Sequence, residues 1–164
     1  MIVHRFSGYT LVPADATCAA LAHMWTMADP DHAGRVKPEF WIEQGEGIES
    51  WLLYDRLGAV YFFKSIRQDL DIEIHIQFPP YPVDARMNHH CRISLALVEG
   101  MHWLENRIRG KIREVRFESR NPSLIRFAEK HLGFTNENGQ LSKRLEATDV
   151  RKYGSAIDDS ARTN

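Results

Sequence analysis

The stretch from Leu70 to Phe78 alternates strictly between apolar and polar side chains. The apolar set is Ile72, Ile74, Ile76 and Phe78, and the polar set is Asp71, Glu73, His75 and Gln77. Because successive side chains of a β-strand point to opposite faces of its sheet, this pattern predicts a strand with one core face and one polar face. Covered strands are usually apolar on both faces, so the polar face either lines a cleft or is solvated. The pattern alone leaves both alternatives open.

A proline-rich stop and a long helix follow this strand. Pro79, Pro80 and Pro82 cannot continue a hydrogen-bonded ladder, so a loop is expected from Val83 to His90. An apolar stripe then predicts a helix from Cys91 to Arg109; its members are Ile93, Leu97, Met101, Leu104 and Ile108.

The remaining elements alternate between helices and strands. We expect, in chain order, a strand at Tyr9–Val12, a helix over 17–27, a loop over 28–37, a short helix opened by Pro38, strands at Ile48–Tyr54, Ala59–Ile66 and Arg113–Ser119, a helix opened by Asn121-Pro122, and a hairpin ending at Leu145. This mixed order predicts one domain over 1–145, built on a central sheet with helices on both faces. The polar segment 146–164 is expected to be a tail outside the core, available for contact with a partner subunit or a second copy.

The composition excludes several classes of protein. A net charge of −1 does not point to nucleic acid or a membrane surface as a partner. Only two cysteines occur, which predicts no disulfide framework and a reducing, cytoplasmic environment. No apolar run approaches the roughly 20 residues that span a bilayer, and the first residues do not resemble a signal peptide.

The segment from Asn121 to Phe134 is the most specific motif. Its sequence, NPSLIRFAEKHLGF, begins with an N-cap asparagine and ends in a Gly-Phe step, and a hairpin closing on Lys143-Arg144-Leu145 follows. Any capped amphipathic helix stopped by glycine would share part of this pattern. Taken with the element order, however, residues 5 to 145 resemble the GNAT superfamily of acyl-coenzyme A-dependent N-acetyltransferases. The resemblance implies an α+β fold with a mostly antiparallel, twisted sheet of about six or seven strands.

The resemblance also implies a site for acetyl-coenzyme A. In the family, the strand matching Leu70–Phe78 splays from its neighbour, and its exposed backbone pairs with the pantetheine arm. The following loop and helix start bind the pyrophosphate. The cofactor-binding residues expected on this basis are Ile76, Gln77, Phe78, Arg86, Asn88, His89, His90, Cys91, Arg92 and Asn121. His89 and Cys91 stand where the family has glycines, and side-chain cations would have to compensate.

Glu73 matches a strand glutamate that often serves the family as general base, and His75 is its neighbour on the same face. Backbone N–H groups of 76–78 would polarise the thioester carbonyl. The family's general acid, a tyrosine on the last helix, is Ala128 here, with one extra residue before Gly133. Cys91 or water would have to replace it. The adjacent His89, His90 and Cys91 do not have the spacing of zinc ligands, so no metal is expected.

These departures from the family support a second hypothesis of another class. The chain would then be a GNAT-fold binding or structural subunit without catalysis, similar to GNAT-like proteins encoded by phages, some of which are virion components. For the enzyme, the acceptor is left open between a small amine, an antibiotic and a protein amine.

Overall fold

The computed structural model describes residues 2–80 and 86–145, with the side chains of 86–88 excepted; the predicted tail over 146–164 lies outside them. The described residues form eight strands in one sheet: β1 (His4–Phe6), β2 (Tyr9–Pro13), β3 (Ile48–Asp55), β4 (Gly58–Gln68), β5 (Asp71–Gln77), β6 (Glu114–Glu118), β7 (Thr135–Glu137) and β8 (Gln140–Arg144). The strand order is β1-β2-β3-β4-β5-β6-β8-β7, and β5–β6 is its parallel pair. The predicted mostly antiparallel sheet is confirmed. The additional strand, β1, is too short to show a period in the sequence.

Helices cover both faces of the sheet, as predicted. They are α1 (Ala19–Ala28), α2 (Arg86–Ile108) and α3 (Pro122–Phe127), with 3₁₀ turns at Ala16–Cys18 and Pro38–Ile42. On one face, α1 and the second 3₁₀ turn bury Trp25 and Trp41 against Leu52 and Phe62. On the other face, α2 packs on the alternate side chains of the same strands, Trp51, Leu53, Tyr61 and Phe63. No helix in the described part of the chain is long and apolar enough to cross a membrane.

The predicted start of α2 was wrong. The helix begins at Arg86, five residues before the expected Cys91, so the segment expected to be the end of a loop forms the first turns of the helix. The error has a physical reason. The buried stripe of α2 begins at Ile93, and His90 and Cys91 are exposed, so no apolar spacing marks the earlier turns.

The last helix accommodates its extra residue by a change of winding. Asn121 caps α3 through Oδ1, which accepts hydrogen bonds from the N–H groups of Ser123 and Leu124, as predicted. After Phe127 the chain continues as a π-helical turn, Ala128–Leu132, and ends at Gly133 with φ of 76°. A π turn adds one residue to a helix without displacing the elements on either side. The extra residue therefore leaves the Gly-Phe step in place.

Gly100 provides a test of the packing between α2 and β4. The buried Tyr61 hydroxyl donates a hydrogen bond to the Ala96 carbonyl at 2.9 Å. A Cβ on Gly100 would lie 2.2 Å from that hydroxyl oxygen. We expect Gly100→Ala to destabilise the protein by about 1–3 kcal/mol, as overpacking does.

In a Tyr61→Phe background, Gly100→Ala should stabilise the protein instead of destabilising it. Without the hydroxyl, the alanine has room, and alanine is the better helix former by up to about 1 kcal/mol. Urea unfolding of the four proteins measures both effects. Destabilisation of equal size in the two backgrounds would contradict the packing described here.

Candidate active site

The sheet opens between its two parallel strands. β5 pairs with β6 at three positions only: Asp71 with Glu114, Ile72 with Val115, and Glu73 with Arg116. Beyond them, β5 continues to pair with β4 as far as Gln77, and β6 continues to pair with β8 as far as Glu118. Among the described residues, Ile74–Gln77 therefore have no strand partner on the β6 side. The result is a notch with unpaired backbone groups along one edge.

Asp71 closes the narrow end of this notch. Its carboxylate accepts hydrogen bonds from Arg113, at 3.0 and 3.1 Å, and from Arg116. Asp71 therefore joins the start of β5 to β6, while Glu73 and His75 on the same face lie farther along, where the strands part.

A cavity of about 1320 Å³ passes through the notch and reaches both faces of the sheet. On the α1 face its walls are the loop after α1, the 3₁₀ turn at Phe40 and Trp41, and the side chains of Glu73 and His75. On the α2 face its walls include Leu97, Met101, Ser119, Asn121, Leu124 and Phe134. One continuous space thus has a charged, aromatic side and a mainly apolar side.

Glu73 and His75 form a close pair in the charged part of the cavity. His75 Nε2 lies 2.9 Å from Glu73 Oε1, without the angle of a hydrogen bond, and the Phe40 ring meets the imidazole edge-on at 5.1 Å. Burial, the largest influence, lowers the pKa of His75; the Glu73 carboxylate opposes it and the Lys64 ammonium adds to it. The pKa of His75 is below its ordinary value, so the imidazole is neutral near pH 7.

Gln77, which shares their face, has a structural role. Its side chain is fully buried, and Nε2 donates to Asp29 Oδ2 at 2.9 Å and to the Phe78 carbonyl at 3.0 Å. Its Oε1 lies 2.6 Å from His32 Nδ1. These contacts attach the loop after α1 to the end of β5. A cofactor-binding role for Gln77 can therefore involve only its backbone.

The structure places the predicted cofactor-binding residues in two groups. Ile76, Phe78 and Asn121 line the cavity. His89, His90, Cys91 and Arg92 do not appear among the described residues that line it, and the side chains of Arg86 and Asn88 lie outside the description. Contact between these six residues and a pyrophosphate stays a prediction. All six belong to the first turns of α2 and not to a loop.

Arg92 has a partner that the sequence did not reveal. Its guanidinium donates to both oxygens of Asp55, at 2.5 and 2.7 Å, and to the Gly58 carbonyl at 3.1 Å. The hydrogen bonds from Arg92 lower the pKa of Asp55. Arg92 therefore fastens α2 to the turn between β3 and β4.

Neither Ala128, at the position of the family's tyrosine, nor Cys91, one of its two expected substitutes, is among the described residues that line the cavity. Ala128 is fully buried and offers no proton. Cys91 is exposed on α2, and the described lining residues include neither tyrosine nor cysteine. The described part of the cavity therefore has no direct counterpart of the family's tyrosine. In the same part of the chain, no group of three or more His, Cys, Asp or Glu residues could hold a metal ion.

The sequence reasoning missed His32 and the ion pair between Lys64 and Glu43. His32 lies in a segment predicted only as a loop, whose composition carries no period that would single out one side chain. Lys64 sits on a strand otherwise rich in apolar and aromatic residues, and its buried position follows from a contact with a residue 21 positions away.

The similarity of this chain to known proteins is one of structure and not of sequence. No protein-family model matches the sequence, and no curated protein matches it. Solved structures do match. A GNAT-family acetyltransferase from Streptococcus pneumoniae superimposes with a TM-score of 0.54, covering 84% of this chain and 99% of its own. The chain has the GNAT acetyltransferase fold.

Two other GNAT-fold structures agree with this result. The ribosomal-protein-S18-alanine N-acetyltransferase from Escherichia coli gives a TM-score of 0.59 at 17% identity, covering 84% of this chain and 94% of that one. A ribosomal L7/L12 α-N-protein acetyltransferase in complex with coenzyme A gives 0.58 at 12% identity, covering 89% and 99%. Identities this low establish the fold and leave activity to be argued from the site.

Proposed function

We propose that the protein is an N-acetyltransferase that transfers the acetyl group of acetyl-coenzyme A to a primary amine. The observation that carries this proposal is the notch between β5 and β6. It joins an unpaired backbone edge to a cavity that contains a carboxylate and a neutral imidazole.

The notch suits the pantetheine arm of coenzyme A, which is a chain containing two amide groups. Such an arm can pair with the free edge of β5, as an added strand would. The edge at 76–78 and Asn121 would hold it, and the start of α2 would offer N–H groups and a positive dipole end to the pyrophosphate. The cavity is larger than the roughly 300–1,000 Å³ of most ligand pockets, which leaves room for a second substrate.

The reaction that these residues support is direct acyl transfer. The amine nitrogen attacks the thioester carbon, a C–N bond forms, and the C–S bond breaks. Glu73, assisted by His75, accepts the amine proton, and the sulfur leaves as a thiolate that takes a proton from water. Backbone N–H groups of β5 would stabilise the charge that develops on the carbonyl oxygen.

Two measurements test the proposal together. Calorimetry with acetyl-coenzyme A should show binding, and backbone NMR shifts should change along β5 with β3 as the internal control. Release of free thiol should then be followed with small amines, aminoglycosides and peptides with N-terminal alanine, the residue acetylated by the S18 enzyme. Absence of binding at millimolar acetyl-coenzyme A would refute the proposal.

A GNAT-fold subunit without catalysis is the second candidate. It is favoured by the lack of tyrosine and cysteine among the described cavity residues, which gives the described part of the cavity no counterpart of the family's tyrosine acid. A role in a virion or another assembly, with the C-terminal tail at the contact, rests on the sequence resemblance alone. Binding of acetyl-coenzyme A without turnover of any amine would support this candidate, and turnover would exclude it.

A further inference from the structure

His32 is held in one orientation by two partners. Its Nδ1 lies 2.6 Å from Gln77 Oε1 and 3.2 Å from Asp29 Oδ2. The Gln77 amide cannot be reversed, because its other end lies between two acceptors, the Asp29 carboxylate and the Phe78 carbonyl. Gln77 must therefore direct its oxygen at His32.

This arrangement selects one tautomer of His32. Both atoms that face Nδ1 are acceptors, so Nδ1 carries a proton in the neutral ring as well as in the charged one. The lone pair of neutral His32 is consequently on Nε2. A carboxylate on one ring nitrogen and a free lone pair on the other is the arrangement by which histidine serves as a base.

The ring of His32 also lies at the cavity. Its side chain is 27% exposed, lines the same wall as Glu73 and His75, and is tilted against the Trp41 ring at 5.5 Å. Gln77, which fixes His32, is two residues after His75 on the same strand face. The two imidazoles are close enough for a charge on His32 to lower the pKa of His75.

We infer that His32 is a second acid–base group of the acceptor side, which uses Nε2 to accept one of the protons that the amine loses. The inference rests on the proposed acetyl transfer. An amine arrives as an ammonium ion and must lose one proton before it attacks. It loses another as the C–N bond forms; one proton is balanced by protonation of the thiolate, and the other goes to solvent. Glu73 with His75 accounts for one proton and His32 for the other.

Different charged groups face the two imidazoles. His32 faces Asp29 from its own loop and His75 from β5, and it also contacts the uncharged side chains of Gln77 and Trp41. His75 faces Glu73 on β5, Lys64 on β4 and His32. A change at Asp29 therefore acts on His32 directly and on His75 only through it.

The activity test compares matched variants. His32→Gln keeps an amide that can donate to Gln77 but removes the base, so kcat should fall roughly tenfold to 100-fold, the lower part of the range for general base catalysis. KM for acetyl-coenzyme A should not change. His23→Gln, on the exposed face of α1, is the control and should behave as wild type.

A second pair of variants tests whether the negative charge must lie beside His32. Asp29→Asn retains an oxygen for Gln77 but removes the charge beside His32, so kcat should fall and KM for acetyl-coenzyme A should not change. Asp69→Asn makes the same change on an exposed turn away from the described lining of the cavity and should leave kcat unchanged. His32→Gln with wild-type kcat overturns the inference while the proposed function stands.

Nitrogen NMR of the imidazole supplies a readout that needs no activity. Neutral His32 should show the Nδ1–H tautomer in wild type and a weaker preference for it in Gln77→Leu, where only the Asp29 carboxylate still accepts from Nδ1. The opposite tautomer in wild type overturns the inference. A wild-type protein that turns over no amine overturns the proposed function, and this inference with it.

Discussion

Replacement of Glu73 by glutamine is expected to lower kcat about 100-fold or more, the contribution that a positioned general base usually makes. Glutamine keeps the size of the side chain and its place beside His75, 2.9 Å away, but it cannot accept a proton at neutral pH. Affinity for acetyl-coenzyme A should be unchanged, because the pantetheine contacts proposed above are made by backbone atoms farther along β5. Steady-state kinetics and calorimetry on the same preparation measure the two quantities.

The matched control is Glu39→Gln. Glu39 is another carboxylate on the cavity wall, in the 3₁₀ turn, and its replacement should change kcat little. A loss in Glu39→Gln equal to that in Glu73→Gln would mean that the cavity needs negative charge in general and not a base at position 73.

His75 adds a pH dependence of defined sign. Burial lowers the pKa of His75, so its neutral form persists to lower pH than that of a free histidine. The rate should therefore stay constant as pH falls through the ordinary histidine value of about 6.5 and decline only below it. In His75→Gln the part of this decline that protonation of His75 causes should disappear. An acid limb centred above that ordinary value would contradict the burial of His75.

The parts of the fold that the sequence predicted are those with local signals. β5 followed from a strict period of two, and the start of α3 from Asn121 and Pro122, whose capping roles need only the next few residues. The start of α2 was missed because the apolar stripe from which the helix was predicted begins only at Ile93. The parting of β5 from β6 was expected only through the family resemblance, since it depends on pairing between strands about 40 residues apart.

In the candidate site too, features with a local sequence signal were predicted and features set by long-range contacts were not. Alternation identified Glu73 and His75, because side chains two apart on a strand share a face. It also grouped Gln77 with them, although the contacts that bury Gln77 come from a loop 45 and 48 residues away. Arg92 was grouped with phosphate-binding cations because the sequence shows its charge and does not show Asp55 opposite it. Type and spacing predicted which residues share a face, and tertiary contacts decided which of them remain available.

The ion pair behind the cavity gives the second large effect, on stability. Lys64 is 1% exposed, and its ammonium donates to Glu43 at 2.5 Å and to the Phe40 carbonyl at 2.9 Å, with the Phe40 ring centroid 3.7 Å away. Its partner Glu43 is 53% exposed. The two ends of the pair therefore have unequal access to water, and removing one should not be equivalent to removing the other.

We expect Glu43→Ala to destabilise the protein by about 3 kcal/mol, because it leaves a buried ammonium without its counter-charge. Lys64→Met should cost about 1 kcal/mol, since Glu43 can be solvated and only the bond to Phe40 is lost. The double variant should be close to Lys64→Met alone, because with the ammonium gone the glutamate has nothing buried to neutralise. Urea unfolding of the four proteins measures this cycle. Equal costs for the two single variants would show that Lys64 reaches water and that the wall of the cavity behind Phe40 is open.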